Sequence, residues 1–354
     1  MTPAEFRLHH PDVFYLEPGE LRPLDAFLRK GGVLNASETI QTAARAGAGN
    51  MNCTVRVTTS QRTLIVKQAR PWVEKYPQFA APWDRACREA EFYQLTAGHA
   101  RVADMMPRLV YFEAGARVLV LEDLGQAKDY TGVYRGEAFT SEELRSLGGY
   151  LSALHGAFSV GAADRLLANR EMRALNHAHI FVIPLEENNG LELDQITPGL
   201  AAVARPLKAD AAFREAVSRL GRDVYLADGR CLLHGDFFPG SFMRTAAGPR
   251  VIDPEFGFFG RPELDVAVLL AHLLLAHQPP HLQSAFRQDY MMPAGFEEEL
   301  MLKLVGVEIM RRLIGYAQLP IGYGLDRKRE LLELSRDMVL NPHPQLLQLS
   351  SHSS

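Results

Sequence analysis

Apolar and polar positions alternate along the first third of the chain, and helical spacing takes over beyond it. After Pro23 the stretch LDAFLRK predicts a short helix stopped by Gly31-Gly32. Two β-rich runs, CTVRVTT and RTLIVKQ, flank the polar pair Ser60-Gln61, the pattern of a hairpin. A helix is expected over 84–97 and strands over 108–112 and 117–121. The pattern breaks at EDLGQAKDYTG, which predicts a boundary between units 1–122 and 123–354. Beyond it Thr140 and Glu143 form a capping box, and Leu144, Leu147, Leu151 and Leu154 mark one face of a helix. Short strands are expected at CLLH, before Gly235-Asp236, and at PRVID, before Pro254. Long helices are expected over 263–277 and 297–317. The expectation is an α+β chain with a small β-rich lobe, a hinge and a larger α-helical lobe.

Composition narrows the classes. Of 354 residues, 47% are apolar in the AVILMFWYC sense and 23% are charged, enough for a sizeable core. A net charge of −4 gives no reason to expect a nucleic-acid or acidic-membrane partner. The most apolar run, 264–276, contains Asp265 and His272 and is shorter than the roughly 20 residues a spanning helix needs. The start, MTPAEFRLHHPDVF, has no basic flank followed by an apolar stretch, so a secretory leader is not expected. Cys53, Cys87 and Cys231 are scattered, which argues against a disulfide scaffold or zinc site and fits the reducing cytoplasm.

Four segments carry candidate chemistry. In AGAGNMN, Gly47 and Gly49 precede Asn50 between two β runs; such a turn exposes N–H groups to phosphates, although ordinary hairpin turns are equally glycine-rich. In LIVKQ, Lys67 lies on a strand that otherwise reads as buried, one strand after the turn. Such a lysine needs a carboxylate, and Glu89 or Glu91 on the next helix offers one. In LLHGDFFPGSFM, an apolar strand delivers His234, Gly235 and Asp236 into a loop, where an aspartate can accept a hydroxyl proton. In PRVIDPEFGFFG, Asp253 and Glu255 end a strand as two carboxylates in need of a neutralising partner, and Mg²⁺ on nucleotide phosphates would serve. Together and in this order they point to phosphoryl transfer.

The same order resembles the aminoglycoside phosphotransferase/choline kinase superfamily, relatives of the protein kinases. Within it GAGNMN, IVKQARPWV, HGDFFPGS, DPEFGFFG and EIMRRLIGYAQ are most similar to 5-methylthioribose kinases. The resemblance implies a bilobal, protein-kinase-like fold with ATP and Mg²⁺ as cofactors and a small-molecule hydroxyl, such as that of methylthioribose, as acceptor. Asp236 would be the catalytic base facing that hydroxyl. Asp253 and Glu255 would bind Mg²⁺, with Ser241 where most relatives place a metal-binding asparagine; a serine hydroxyl is the weaker ligand, so Glu255 is expected to matter more. Lys67 would contact phosphates with Glu89 as partner, Gly47, Gly49 and Asn50 would cover them, and Glu122, Asp123 and Leu124 would receive adenine through backbone groups. Arg311 and Arg312 would hold substrate oxygens. By pattern alone, Arg312 could instead simply pair with Glu308 at i, i+4 and Arg311 be solvated, beside an apolar stripe of Leu302, Val305, Ile309, Leu313 and Tyr316.

Asp265 reads as scaffold for the HGD loop and His234 as an orienting residue. The first forty residues and the stretch 176–199 have no counterpart in the resemblance; His177 and His179 there read as a strand-edge or loop pair. A homodimer stays open. Other acceptors (aminoglycoside, choline or homoserine type) and a nucleotide-binding pseudokinase are the competing readings. A metal-dependent hydrolase built on His234, Asp236, Asp253 and Glu255 would leave the glycine turn and Lys67 without a role.

Overall fold

A computed structural model of the chain describes residues 2–47, 51–158 and 167–348. It falls into two compact units. One is Met1–Ala127 together with Arg250–Phe256; the other is Lys128–Pro249 together with Gly257–Ser354. The break thus lies a few residues beyond 122, and the D-P-E segment returns to the first unit. No pattern in the sequence signals that return, because it rests on tertiary contacts: Val251 N donates to Met105 O at 2.7 Å.

The first unit is β-rich. Helices α1 (Pro3–His9) and α2 (Leu21–Lys30) precede β1 (Ile40–Arg45), β2 (Cys53–Thr59) and β3 (Thr63–Gln68). A small hairpin, β4 (Trp72–Val73) and β5 (Tyr76–Ala80), leads to α3 (Arg85–Thr96), α4 (Ala100–Ala103), β6 (Leu109–Glu113) and β7 (Val118–Glu122). The main sheet has the order β1-β2-β3-β7-β6, so Lys67 sits on the middle strand, opposite Thr54 and Leu119. Strand alternation sends Val55, Val57, Leu64, Val66, Val118 and Val120 into one core with Leu24 and Leu28 of α2. Lys67, one residue out of phase with Leu64 and Val66, emerges on the other face.

The N-terminal forty residues complete that core. Thr2 and Glu5 cap α1 reciprocally, and Phe6 packs edge-on against Trp72 and Trp83. The buried Gln68 side chain ties the segment to β3 by accepting from Leu16 N and donating to Phe14 O.

The second unit is helical. After β8 (Lys128–Asp129) come α5 (Ser141–Ala157), α6 (Arg170–His177), α7 (Leu193–Ile196), α8 (Leu200–Ala209) and α9 (Ala211–Arg219). Strands β9 (Cys231–Leu233) and β10 (Phe242–Thr245) follow, and β11 (Gly248–Val251) leads into the 250–256 return. After β12 (Phe258–Gly260) the chain closes with α10 (Glu263–Leu275), α11 (Pro280–Asp289), α12 (Glu298–Ile314) and α13 (Leu325–Leu340). β9 pairs antiparallel with β12 and β10 with β8. Thr140 and Glu143 form the expected capping box, and Leu144, Leu147, Leu151 and Leu154 are buried. Among the described residues no helix is long and apolar enough to cross a membrane.

Residues 176–199 correct one expectation. His177 and His179 are helical: α6 runs on through a π-turn, Ala178–Val182. The wider turn keeps Ile180 and Phe181 buried, which outweighs the alternation that suggested an extended segment.

α5 carries two adjacent glycines with opposite surroundings. A Cβ on Gly148 would lie 2.3 Å from Phe286 O on α11, whereas one on Gly149 would meet nothing within 4 Å. Gly148→Ala is expected to destabilise the protein by about 1–3 kcal/mol through overpacking. Gly149→Ala is expected to stabilise it by about 0.5–1 kcal/mol through helix propensity. Chemical denaturation of both variants checks this; equal shifts would refute the close approach of α5 and α11.

Candidate active site

In the first unit one lysine gathers the carboxylates. Lys67 Nζ lies 2.7 Å from Glu89 Oε2 and 2.7 Å from Asp253 Oδ1. Glu89, not Glu91, is the partner from α3; Glu91 pairs with Arg88 instead. The Glu89 side chain is 1% exposed and the Asp253 side chain 47%. Burial would lower the Lys67 ammonium, but Asp253, Glu89 and Glu255 outweigh it and hold it charged, above its ordinary range. Burial pushes the Glu89 carboxyl up, and Lys67 only partly restores it. Asp253 has φ +59°, in the left-handed region that favours glycine and, after it, asparagine and aspartate.

Glu255 is anchored beside this cluster. Its Oε2 accepts from Asn52 Nδ2 at 2.7 Å and lies 3.7 Å from Arg85 Nε. Arg85 is fully buried; its guanidinium also donates to Asn52 Oδ1 and to the Met51, Arg70 and Pro82 carbonyls. One arginine therefore joins the base of the glycine turn to the D-P-E segment. The sequence reading passed over Arg85; its signal, a charged residue opening a helix, is too common to single it out.

These residues fit a nucleotide and Mg²⁺. Lys67 and Arg85 face three carboxylates (Glu89, Asp253 and Glu255), so the five groups carry a net −1. Among the described residues no group of three or more His, Cys, Asp or Glu is arranged to hold a metal. Two carboxylates plus phosphate and water oxygens are the usual shell of Mg²⁺, which neutralises phosphate charge when bound.

Gly47 has φ +68°, while Gly49 and Asn50 lie outside the described residues. At the end of β7, the Asp123 carboxylate is 2% exposed; it accepts from Arg56 and from Gly125 N, and Arg56 also donates to Gly125 O. The backbone of Glu122, Asp123 and Leu124 is thus held from the β2 side. Arg56 is a second residue absent from the sequence reading.

In the second unit the HGD loop is built as a scaffold expects. The buried Asp265 carboxylate accepts from His234 N at 2.7 Å and Gly235 N at 2.9 Å, and Gly235 takes φ +84°. Ser241 Oγ donates to Asp236 O at 2.8 Å, closing the loop on itself. Asp236 Oδ1 then receives both arginines of α12: Arg311 and Arg312 NH2 each lie 3.3 Å away.

Neither arginine is solvated; both are 5% exposed. Glu308 holds them from behind, with Oε2 2.8 Å from Arg311 Nε and Oε1 2.7 Å from Arg312 Nε. Burial would raise the Glu308 carboxyl, but the two guanidinium groups outweigh it and keep it far below its ordinary range. Arg312 lies over the Phe238 ring at 4.6 Å, and Arg311 reaches Asn176 Oδ1 at 3.3 Å. Tyr316, expected in the apolar stripe, is 38% exposed, and its hydroxyl donates to Asn189 O. The stretch 176–199 therefore docks on the end of α12 that carries the arginine pair.

Comparison with known proteins now settles the family. The sequence profile of the phosphotransferase enzyme family matches residues 42–300. The chain belongs to that family. Curated relatives include the methylthioribose kinase of Exiguobacterium sibiricum, 29% identical over 258 residues, 68% of this chain and 62% of that protein. That of Cronobacter sakazakii is 28% identical over 265 residues, 71% of this chain and 64% of that protein. The match therefore spans somewhat under two thirds of those relatives' length. Among solved structures, a spectinomycin phosphotransferase has TM-score 0.54 at 13% identity, covering 92% of this chain and 99% of that one. A choline/ethanolamine kinase family protein from Mesorhizobium loti has TM-score 0.51 at 16% identity, covering 93% and 99%. These likenesses establish the protein-kinase-like α+β fold.

Behind Glu308, the fully buried His272 is held neutral: burial and the nearby Arg312 bring its pKa from an ordinary 6.5 down to about 3. A folded pKa below the unfolded one means the unfolded chain binds the extra proton first, so stability is lost as pH falls below 6.5. Glu308, depressed below its ordinary 4.5, adds a further loss at lower pH. The melting temperature is expected to fall from pH 6.5 downward, and His272→Gln to flatten the limb between pH 6.5 and 4.5 relative to the wild type. Parallel melting curves for the two proteins across that range would refute it.

Proposed function

We propose that this protein is an ATP-dependent kinase that transfers the γ-phosphate to a hydroxyl of a small molecule, acting in the cytoplasm, with methylthioribose as acceptor. The observation that carries the proposal is the convergence of Arg311 and Arg312 on one oxygen of Asp236. A buried arginine pair at a loop carboxylate suits a polyhydroxylated acceptor: the guanidinium groups bind its oxygens while the second Asp236 oxygen takes the reacting hydroxyl's proton. The names of the curated relatives support the same acceptor.

Each predicted residue has a part. Lys67, held by Glu89, orients the phosphates, and Gly47, Gly49 and Asn50 bind them through backbone N–H groups. Asp253 and Glu255 hold Mg²⁺, and the 122–124 backbone receives adenine. The acceptor oxygen forms a bond to the γ-phosphorus as the bond to the bridging oxygen breaks, and ADP leaves. Ser241 keeps the Asp236 loop in shape, and Glu255 carries more of the metal affinity.

An ADP-release assay over a panel of alcohols, with methylthioribose first, tests the acceptor. Asp236→Asn is expected to lower kcat by at least about 10²-fold, the lower end of general-base effects, while ADP binding is kept. Glu255→Gln is expected to raise the Mg²⁺ requirement more than Ser241→Ala. Near-normal kcat in Asp236→Asn would remove that residue from the reaction. ADP release with aminoglycosides or choline but not methylthioribose would reassign the acceptor.

A further inference from the structure

Glu308 is not the end of the chain of contacts behind the arginine pair. Its Oε1 also lies 3.1 Å from His272 Nε2, and His272 Nδ1 meets the Tyr134 hydroxyl. All three side chains are buried, His272 completely. With the imidazole neutral, their donors and acceptors permit one consistent assignment. An ionised Glu308 only accepts, so His272 carries its proton on Nε2; its bare Nδ1 then accepts from Tyr134 O–H. A second proton on the imidazole would turn the Tyr134 hydroxyl into the acceptor and add a positive charge to a buried place already crowded by two guanidinium groups.

Bond lengths divide the arginine contacts into a firm and a loose end. Arg312 Nε donates to Glu308 Oε1 at 2.7 Å, the length of a strong charge-assisted bond, and Arg311 Nε lies 2.8 Å from Glu308 Oε2 as an ion pair without a hydrogen bond, whereas both Asp236 contacts are 3.3 Å. Arg312 is thus fixed at Nε from behind by a hydrogen bond and Arg311 by charge alone, and both are loosely shared at NH2 in front, where an acceptor oxygen can take them over. What fixes them is a carboxylate whose own rotation is set by His272, which Tyr134 sets in turn.

We propose that His272 and Tyr134 are positioning residues for acceptor recognition: through Glu308 they hold Arg311 and Arg312 in the orientation that binds the acceptor beside Asp236. This rests on the kinase reading above. Neither residue touches the acceptor; each acts through the next.

The test compares His272→Leu, His272→Gln and Tyr134→Phe. A glutamine amide can replace the Nε2–H donor to Glu308, and leucine cannot. With methylthioribose, His272→Leu is expected to lose about 10²-fold in kcat/KM for the acceptor, the scale of a misplaced reacting group. His272→Gln should recover most of that loss and Tyr134→Phe should fall between. The KM for Mg·ATP should stay within about 2-fold in all three, and melting temperatures should not track the acceptor effect. Equal activity in the leucine and glutamine variants, or a loss shared with the KM for Mg·ATP, would overturn the proposal.

Histidine ¹⁵N spectra give a readout that needs neither turnover nor a folded leucine variant. His272 is expected neutral with its proton on Nε2 at pH 5, and released from that state in Glu308→Gln. Titration near 6.5, or a proton on Nδ1, would overturn the proposal. If the wild type phosphorylates no alcohol, the kinase reading fails, and these spectra alone decide whether the relay exists.

Discussion

A buried cation has to be paired, and that constraint shapes both units of this protein. Each unit meets it in the same way, with one carboxylate deep behind the cation and another nearer the solvent. Behind Lys67 stands Glu89, 1% exposed, and in front of it Asp253, 47% exposed. Behind Arg311 and Arg312 stands Glu308, 4% exposed, and in front Asp236, 20% exposed. The rear carboxylate fixes the cation; the front one is where incoming charge or an incoming hydroxyl can be accommodated. The two front residues are the aspartates assigned to metal and to acceptor.

The rest of the scaffold keeps these groups from relaxing. Asp265 fixes the HGD loop through two backbone N–H groups, and Ser241 closes it. Arg85 fastens Glu255 and the base of the glycine turn to α3. Arg56 does the same for the segment after β7. Asp265 and Arg85, both buried, each satisfy several backbone groups at once, which leaves few alternative arrangements of similar energy.

Local features were legible in the sequence. The β2–β3 hairpin, the Thr140–Glu143 cap and the apolar face of α5 follow from periodicity and turn chemistry within a few residues. Lys67, Asp236 and Asp253 could be singled out because charged residues at the ends or in the middle of apolar strands are rare. Glu308 was visible too, one turn before Arg312. What stayed hidden depends on contacts distant along the chain. Arg312 meets Asp236 across 76 positions and His272 meets Glu308 across 36. By pattern alone Arg311 could equally have been solvated, because helical periodicity cannot show what covers a face; only the family resemblance singled it out. His272 read only as an interruption in an apolar helix, and His177 and His179 read as extended because a π-turn has no simple sequence signature.

A crystal structure with Mg·ADP bound tests the rear-and-front arrangement most directly. The account predicts that Lys67 keeps Glu89 at salt-bridge distance while the Asp253 carboxylate leaves Lys67 for the metal and phosphate oxygens take its place. A complex in which Asp253 stays on Lys67 and the metal is held elsewhere, or in which Lys67 abandons Glu89, would contradict it.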